Sequence, residues 1–203
     1  MEIKKHTNLI IVGNWNLNIL TPDWFIKQFP DKIKHKQSVP VEFSLGTGAI
    51  RFTIENIIIQ PTSNRLDLIT TIEDVNHYNT ITDFAIGIVE KLPHTPISAI
   101  GHNIAYYLTT ERFKYFNEDQ VESFHGKYNQ FIKKVVLNSQ QIRHSLEFED
   151  YILNLTYDIN RKKSYIDFNF HYTVTEITKA IDYIMSFKDN ISSSAEIFKE
   201  LVA

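Results

Sequence analysis

A chain of 203 residues fits one large domain or two small fused ones, and its 43% hydrophobic and 13% aromatic content supplies a substantial core, which argues against intrinsic disorder. A formal net charge of −3 is a poor basis for a nucleic-acid binder that presents a basic surface to phosphates. The absence of cysteine excludes disulfides, thiolate nucleophiles, iron–sulfur clusters and Cys-based zinc sites.

The pattern predicts a buried strand from Asn8 to Trp15. Thr21-Pro22-Asp23-Trp24 has the residues of a helix start, and a short helix to about Phe29 follows. A basic loop over 31–37 leads to a strand over 41–44 and a turn at Gly46-Thr47-Gly48, which lacks the third Gly and the Lys of a phosphate loop. Ile50, Phe52 and Ile54 alternate with Arg51, Thr53 and Glu55, the period of a half-buried strand. Glu55-Asn56 turns the chain into Ile57-Ile58-Ile59, and a further turn at 61–64 leads into a strand from Leu66 to Thr71. Ile81, Phe84, Ala85, Ile88, Val89 and Leu92 fall on one face of a helix from Val75 to Leu92.

The same order follows again. A strand is expected from Ile97 to Leu108 and a helix with a capping box at Asn117 and Gln120. Four strands are expected over 135–138, 142–148, 151–157 and 165–172, then a helix from Thr175 to Phe187. Ser193 and Glu196 suggest a second capping box opening a short terminal helix that exposes Ile197, Phe198, Leu201 and Val202.

The two halves also align by residue. Gly13 and Gly101, Leu20 and Leu108, and Thr21 and Thr109 are each 88 positions apart. Phe52 and Leu146, Glu55 and Glu149, and Ile57 and Tyr151 are each 94 apart. Repeats of this kind indicate architecture. The expected organisation is a first repeat over 1–95, a second over 96–190 and a C-terminal helix over 191–203. The fold class is α+β: two tandem β-α-β-β-β-β-α units forming a mostly antiparallel curved sheet with helices on one face. This order of elements resembles the TATA-box-binding-protein fold, a saddle built from one continuous curved sheet. The resemblance covers nearly the whole chain, rests on element order, and carries no function with it.

Alternation assigns Ile50, Phe52, Ile54, Ile57, Ile59, Leu66, Leu68, Leu146, Phe148, Tyr151, Leu153, Leu155, Ile166, Phe168 and Phe170 to the helix side. The open side then shows Ile58, Ile69, Ile152 and Tyr165 as apolar anchors, with Arg51 and Arg65 among more numerous carboxylates: Glu55, Asp67, Glu147, Glu149 and Asp167. Carboxylates there would repel phosphates, so the face reads as a protein-binding surface or a solvated one. The basic tips, Lys32, Lys34 and Lys36 and then Arg161, Lys162 and Lys163, are the places for a weak nucleic-acid contact, although clusters this short are usually solvated loops. The eight histidines form no metal-ligand set, His94 and His102 read as structural or exposed, and Glu147, Glu149 and Asp150 fit a turn as well as a cation site.

The expectation is therefore a non-enzymatic binding or assembly protein with no cofactor and no metal, acting through a protein partner or self-association. Two alternatives stand beside it: a saddle-type nucleic-acid module, and a small-molecule sensor with a pocket between the repeats. No run reaches the roughly 20 apolar residues of a membrane span. Gly13, Asn14, Asn16 and Asn18 interrupt the N-terminal apolar stretch, so no signal peptide is read and a cytoplasmic setting is expected. The heavy use of Ile, Asn, Lys, Tyr and Phe matches AT-rich coding, as in a bacterial or viral genome.

Overall fold

The computed structural model describes residues 4–34, 39–43, 50–108, 139–160 and 164–202. The expected turn at 46–48, the helix after Asn117, the strand over 135–138, and Lys36, Arg161, Lys162 and Lys163 lie outside the described residues.

The described chain begins with β1 (Lys4–Gly13), α1 (Pro22–Gln28), β2 (Val41–Phe43), β3 (Ile50–Ile54), β4 (Ile57–Pro61), β5 (Arg65–Thr70) and α2 (Val75–Lys91). It continues with β6 (Ile97–Leu108), β7 (Ser139–Glu147), β8 (Ile152–Asn160), β9 (Ser164–Thr173), α3 (Ile177–Met185) and α4 (Phe187–Val202). All nine described strands form one sheet, ordered β2-β3-β4-β5-β1-β6-β9-β8-β7. Every pairing is antiparallel. β1 and β6 form the middle, and each is flanked by the strands that lie nearest the end of its own half of the chain.

Local chemistry sets the boundaries. Thr21 Oγ1 accepts from Trp24 N at 3.3 Å, and Pro22 opens α1 where its missing N–H has no cost. Asp74 caps α2 by accepting from His77 N at 3.0 Å. Glu55 and Asn56 both take positive φ, 49° and 64°, the backbone of a two-residue hairpin whose twist matches its strands. Glu55 has no intrinsic preference for that region, and its carboxylate accepts from the backbone N–H of Lys34 at 2.7 Å, tying the turn to the loop after α1.

The alternation places the core as expected. Phe52, Ile57, Ile59, Leu66, Leu68, Leu153, Ile166, Phe168 and Phe170 are buried under the helices. Phe25 of α1 meets Phe52 at 5.4 Å and Phe84 of α2 at 6.2 Å between ring centroids. Tyr106 of β6 stacks on Phe198 of α4 at 4.6 Å, and its hydroxyl bonds Ser194 Oγ at 3.0 Å. Ile50, Leu146 and Phe148 point to the helix side yet remain 46%, 44% and 47% exposed. They sit on or beside β3 and β7, toward the two ends of the strand order.

The C-terminal helix departs from the sequence reading. It starts at Phe187, directly after α3 ends at Met185, so Ser193 is interior to the helix and caps nothing. Ser194 Oγ donates back to the Ile191 carbonyl at 2.8 Å, the local bond a serine makes inside a helix. Phe198 is buried and Ile197 and Leu201 half-buried, because this helix packs on β6 rather than standing free.

Two registers bear on the internal similarity. Phe52 pairs with Ile59, and the residues 94 positions later, Leu146 and Leu153, also pair. The central strands behave differently. Ile11 shares the helix side with Ile100, to which it pairs, so Gly13 faces the helices and Gly101 faces away. The alignment of Gly13 with Gly101 therefore sets residues of opposite faces against each other. Gly13 is required for its own reason: a Cβ there would lie 2.6 Å from the Pro96 carbonyl oxygen.

Candidate functional site

Helices cover one side of the sheet, and among the described residues no helix lies on the other. That open face is organised around a row of amides. Asn8, Asn103, Asn169, Asn154 and Ser145 are consecutive cross-strand partners on β1, β6, β9, β8 and β7. Ser145 Oγ donates to Asn154 Oδ1 at 3.0 Å, and Asn154 Nδ2 donates to Asn169 Oδ1 at 3.0 Å. Asn169 Nδ2 donates in turn to Asn103 Oδ1. Neighbouring strands lie about 4.8 Å apart, a spacing that one carboxamide bridges to the next. All three bonds run in one direction, so each polarises the next. The row ends at Asn8, whose buried Oδ1 has no hydrogen-bond partner among the described residues. Beyond Asn8 the same line continues as Ile69, Ile58 and Thr53.

Several charges of this face pair within it, while Arg143 and Glu147 on β7 stay exposed. Arg51 donates from Nε to Glu42 at 2.9 Å, and Arg65 from Nε to Asp67 at 2.6 Å. Burial raises the Asp67 carboxyl above its ordinary value, an effect that the Arg65 bond opposes. His6 Nε2 reaches Asp167 Oδ2 at 3.7 Å over β6, where Ala105 lies between them in register and is too short to intervene. The Tyr165 hydroxyl donates to Asp158 at 3.0 Å, and burial followed by that carboxylate raises its pKa. Gly101 leaves a shallow dip bounded by Ile10 Cβ and Asn169 Nδ2, each within 4 Å of where its Cβ would be.

The expected anchors do not form one patch. Ile58 and Ile69 are direct partners and half-buried, and Ile152 is 37% exposed. Ile152 lies four strand spacings from the line of Ile69, roughly 19 Å. Tyr165 lies four residues along β9 from Asn169, roughly 13 Å. Arg51 and Arg65 are committed to carboxylates. Lys32 pairs with Asp83 of α2, on the helix side of the molecule. Lys34 is exposed beside the Glu55 turn. No group of three or more His, Asp or Glu that could hold a metal occurs among the described residues, and Glu149 and Asp150 occupy the turn between β7 and β8. A cleft of about 300 Å³ opens beside Phe29, Lys32, Asp83, Gly87, Glu90 and Lys91. It lies wholly within the first half of the chain.

Two features escaped the sequence reading. Each asparagine of the row occupies the polar phase of its strand, but only the strand order aligns the four. A buried polar cluster lies under the helices. Asn190 Nδ2 contacts His102 Nδ1 at 2.8 Å and Tyr172 Oη at 2.7 Å, and His102 packs against Phe187 at 5.1 Å. Burial pushes the His102 pKa down to about 3, with the Tyr183 carbonyl partly opposing the shift, so the ring is a neutral element of the core. The sequence matches no protein-family model and no curated protein.

Proposed function

We propose that this chain is a non-enzymatic binding protein that engages a protein partner through the open face of its sheet. The carrying observation is the amide row from Ser145 to Asn103, which fixes polar groups in place beside the Ile58–Ile69 pair. Such a surface combines anchored hydrogen-bonding groups with apolar contacts, the mixture that protein interfaces use. Glu42, Asp67 and Asp158 of this face already hold internal partners, which lowers the desolvation cost of covering them. The face carries Glu42, Asp67, Asp158 and Asp167, and Lys32 lies on the helix side, so a nucleic-acid saddle has less to support it.

The tandem organisation with its TATA-box-binding-protein-like saddle belongs to the same reading. It is supported by the shared register of the β3–β4 and β7–β8 hairpins and by the strand order around β1 and β6. The duplication is then legible in the outer hairpins and eroded in the central strands. A cytoplasmic setting completes the proposal; no helix among the described residues is long and apolar enough to cross a membrane.

The test is affinity capture from the source cells with the parent, Ile58→Glu and Ile152→Glu. A protein held by the parent and lost from a folded Ile58→Glu variant supports the reading. Retention by both variants refutes the face as the interface, and turnover abolished by one polar substitution refutes the non-enzymatic assignment.

A further inference from the structure

We infer that β7 is a dimerisation edge, along which two copies of this chain pair antiparallel about a two-fold axis at Ser145. The inference does not rest on the function proposed above, because it concerns the rim of the sheet and not its open face.

Among the described strands β7 ends the sheet order, with nine residues from Ser139 to Glu147. A long edge strand presents a continuous row of unpaired N–H and C=O groups. Residues 143–150 are all exposed. Leu146 and Phe148 carry this exposure on the helix side, 44% and 47% exposed even though Phe148 stacks on Tyr151 at 4.7 Å.

The occupant is argued from charge. Arg143, Ser145 and Glu147 share the open-face side of β7, opposite Thr156, Asn154 and Ile152. When Ser145 meets Ser145 of a second copy in an antiparallel ladder, Arg143 of each copy stands opposite Glu147 of the other. The strand is thus complementary to itself, and both ion pairs form at once, as an isologous contact requires. Moving the axis to Arg143 or to Glu147 would instead set like charges face to face. On the helix side the same register brings Phe148 opposite Ile142 and Leu146 opposite His144, covering the exposed apolar groups. It also brings the Ser145 ends of two amide rows together, so the polar line runs from one copy into the next.

The test uses the full chain in sedimentation and light scattering at low salt. The parent should run at twice 23.8 kDa. Arg143→Glu and Glu147→Arg should each weaken the dimer by about tenfold, because each sets like charges opposite twice over. The double reversal Arg143→Glu with Glu147→Arg should restore it. Far-UV circular dichroism checks that each variant is folded, which the exposure of both positions favours. The chain has no cysteine of its own. Ser145→Cys should therefore cross-link to a dimer with a short bifunctional thiol reagent, since directly opposed Cβ atoms lie about 5 Å apart, just beyond direct disulfide reach. Gln141→Cys should not, since its copies would lie roughly 27 Å apart. A parent that is monomeric at its highest soluble concentration overturns the proposal. So does a dimer indifferent to the single reversals, a double reversal that fails to recover, or cross-linking at 141 in preference to 145. An Ile58→Glu variant that loses its partner but keeps this dimer would show that the two surfaces act separately.

Discussion

Asn154 donates to Asn169 across β8 and β9 at 3.0 Å, and Asn169 passes its own amide proton to Asn103 on β6. Asn169 thereby holds the centre of a polar row that crosses four strands on the side of the sheet opposite the described helices. Replacing it by Leu removes an acceptor from Asn154, which is buried, and a donor from Asn103. The expected loss is about 1–3 kcal/mol in urea unfolding, the cost of leaving buried amide groups unpaired. A change below about 0.5 kcal/mol would show that the row adds nothing to the fold.

Gly13 and Gly101 should respond oppositely to alanine. A Cβ on Gly13 meets the Pro96 carbonyl oxygen at 2.6 Å, a backbone atom that cannot rotate away, so Gly13→Ala is expected to cost about 1–3 kcal/mol. A Cβ on Gly101 meets Ile10 at 3.6 Å, an ordinary contact, so Gly101→Ala should lie within about 0.5 kcal/mol of the parent. Equal losses at both positions would contradict the face assignment of the two central strands.

His102 supplies the pH dependence. Its native value of about 3 lies below the ordinary 6.5, so between these limits the unfolded chain binds a proton that the native state refuses. Stability is full above about 6.5 and falls as pH drops, by about 1.4 kcal/mol per unit. Urea unfolding at about pH 7 and about pH 5.5 measures the slope, and His102→Gln should remove this share of it. A parent whose stability is flat across that interval would place the ring in water or in a charged state.

Phe52→Ala and Phe168→Ala should each cost on the order of 3–5 kcal/mol, the usual range for deleting a fully buried ring. Thermal or urea midpoints near the parent for both would mean that the two sides of the sheet were exchanged.

The sides of the sheet were legible because period-two alternation is a local signal. Arg51 and Phe52 differ by one position and end on opposite faces, one paired to Glu42 and the other under Phe25. The hairpin registers were legible for the same reason, since short strands joined by a tight turn carry their register in the sequence. The Gly13 and Gly101 alignment misled because glycine reports a backbone constraint without saying which face imposes it. The α4 boundary misled because serines favour caps in isolation, while here Ser194 is held by Tyr106, a residue 88 positions away. Strand order was not legible at all, and the asparagine row exists only through it. For the same reason the anchors Ile58, Ile152 and Tyr165 looked like one surface in the sequence and are dispersed across the sheet.

The helix that roofs β6 is made long after the strand it covers. Tyr106 and His102 of β6 receive Ser194 and Asn190 of α4, each 88 positions later in the chain. At 5–20 residues per second on the ribosome, β6 waits about 4–18 s for the side chains that cover it. Throughout that interval the nascent chain displays Tyr106, Ile104 and Ile100 without their roof. The yield of this protein in a host will follow translation speed and chaperone supply near this step more closely than the stability of the finished molecule.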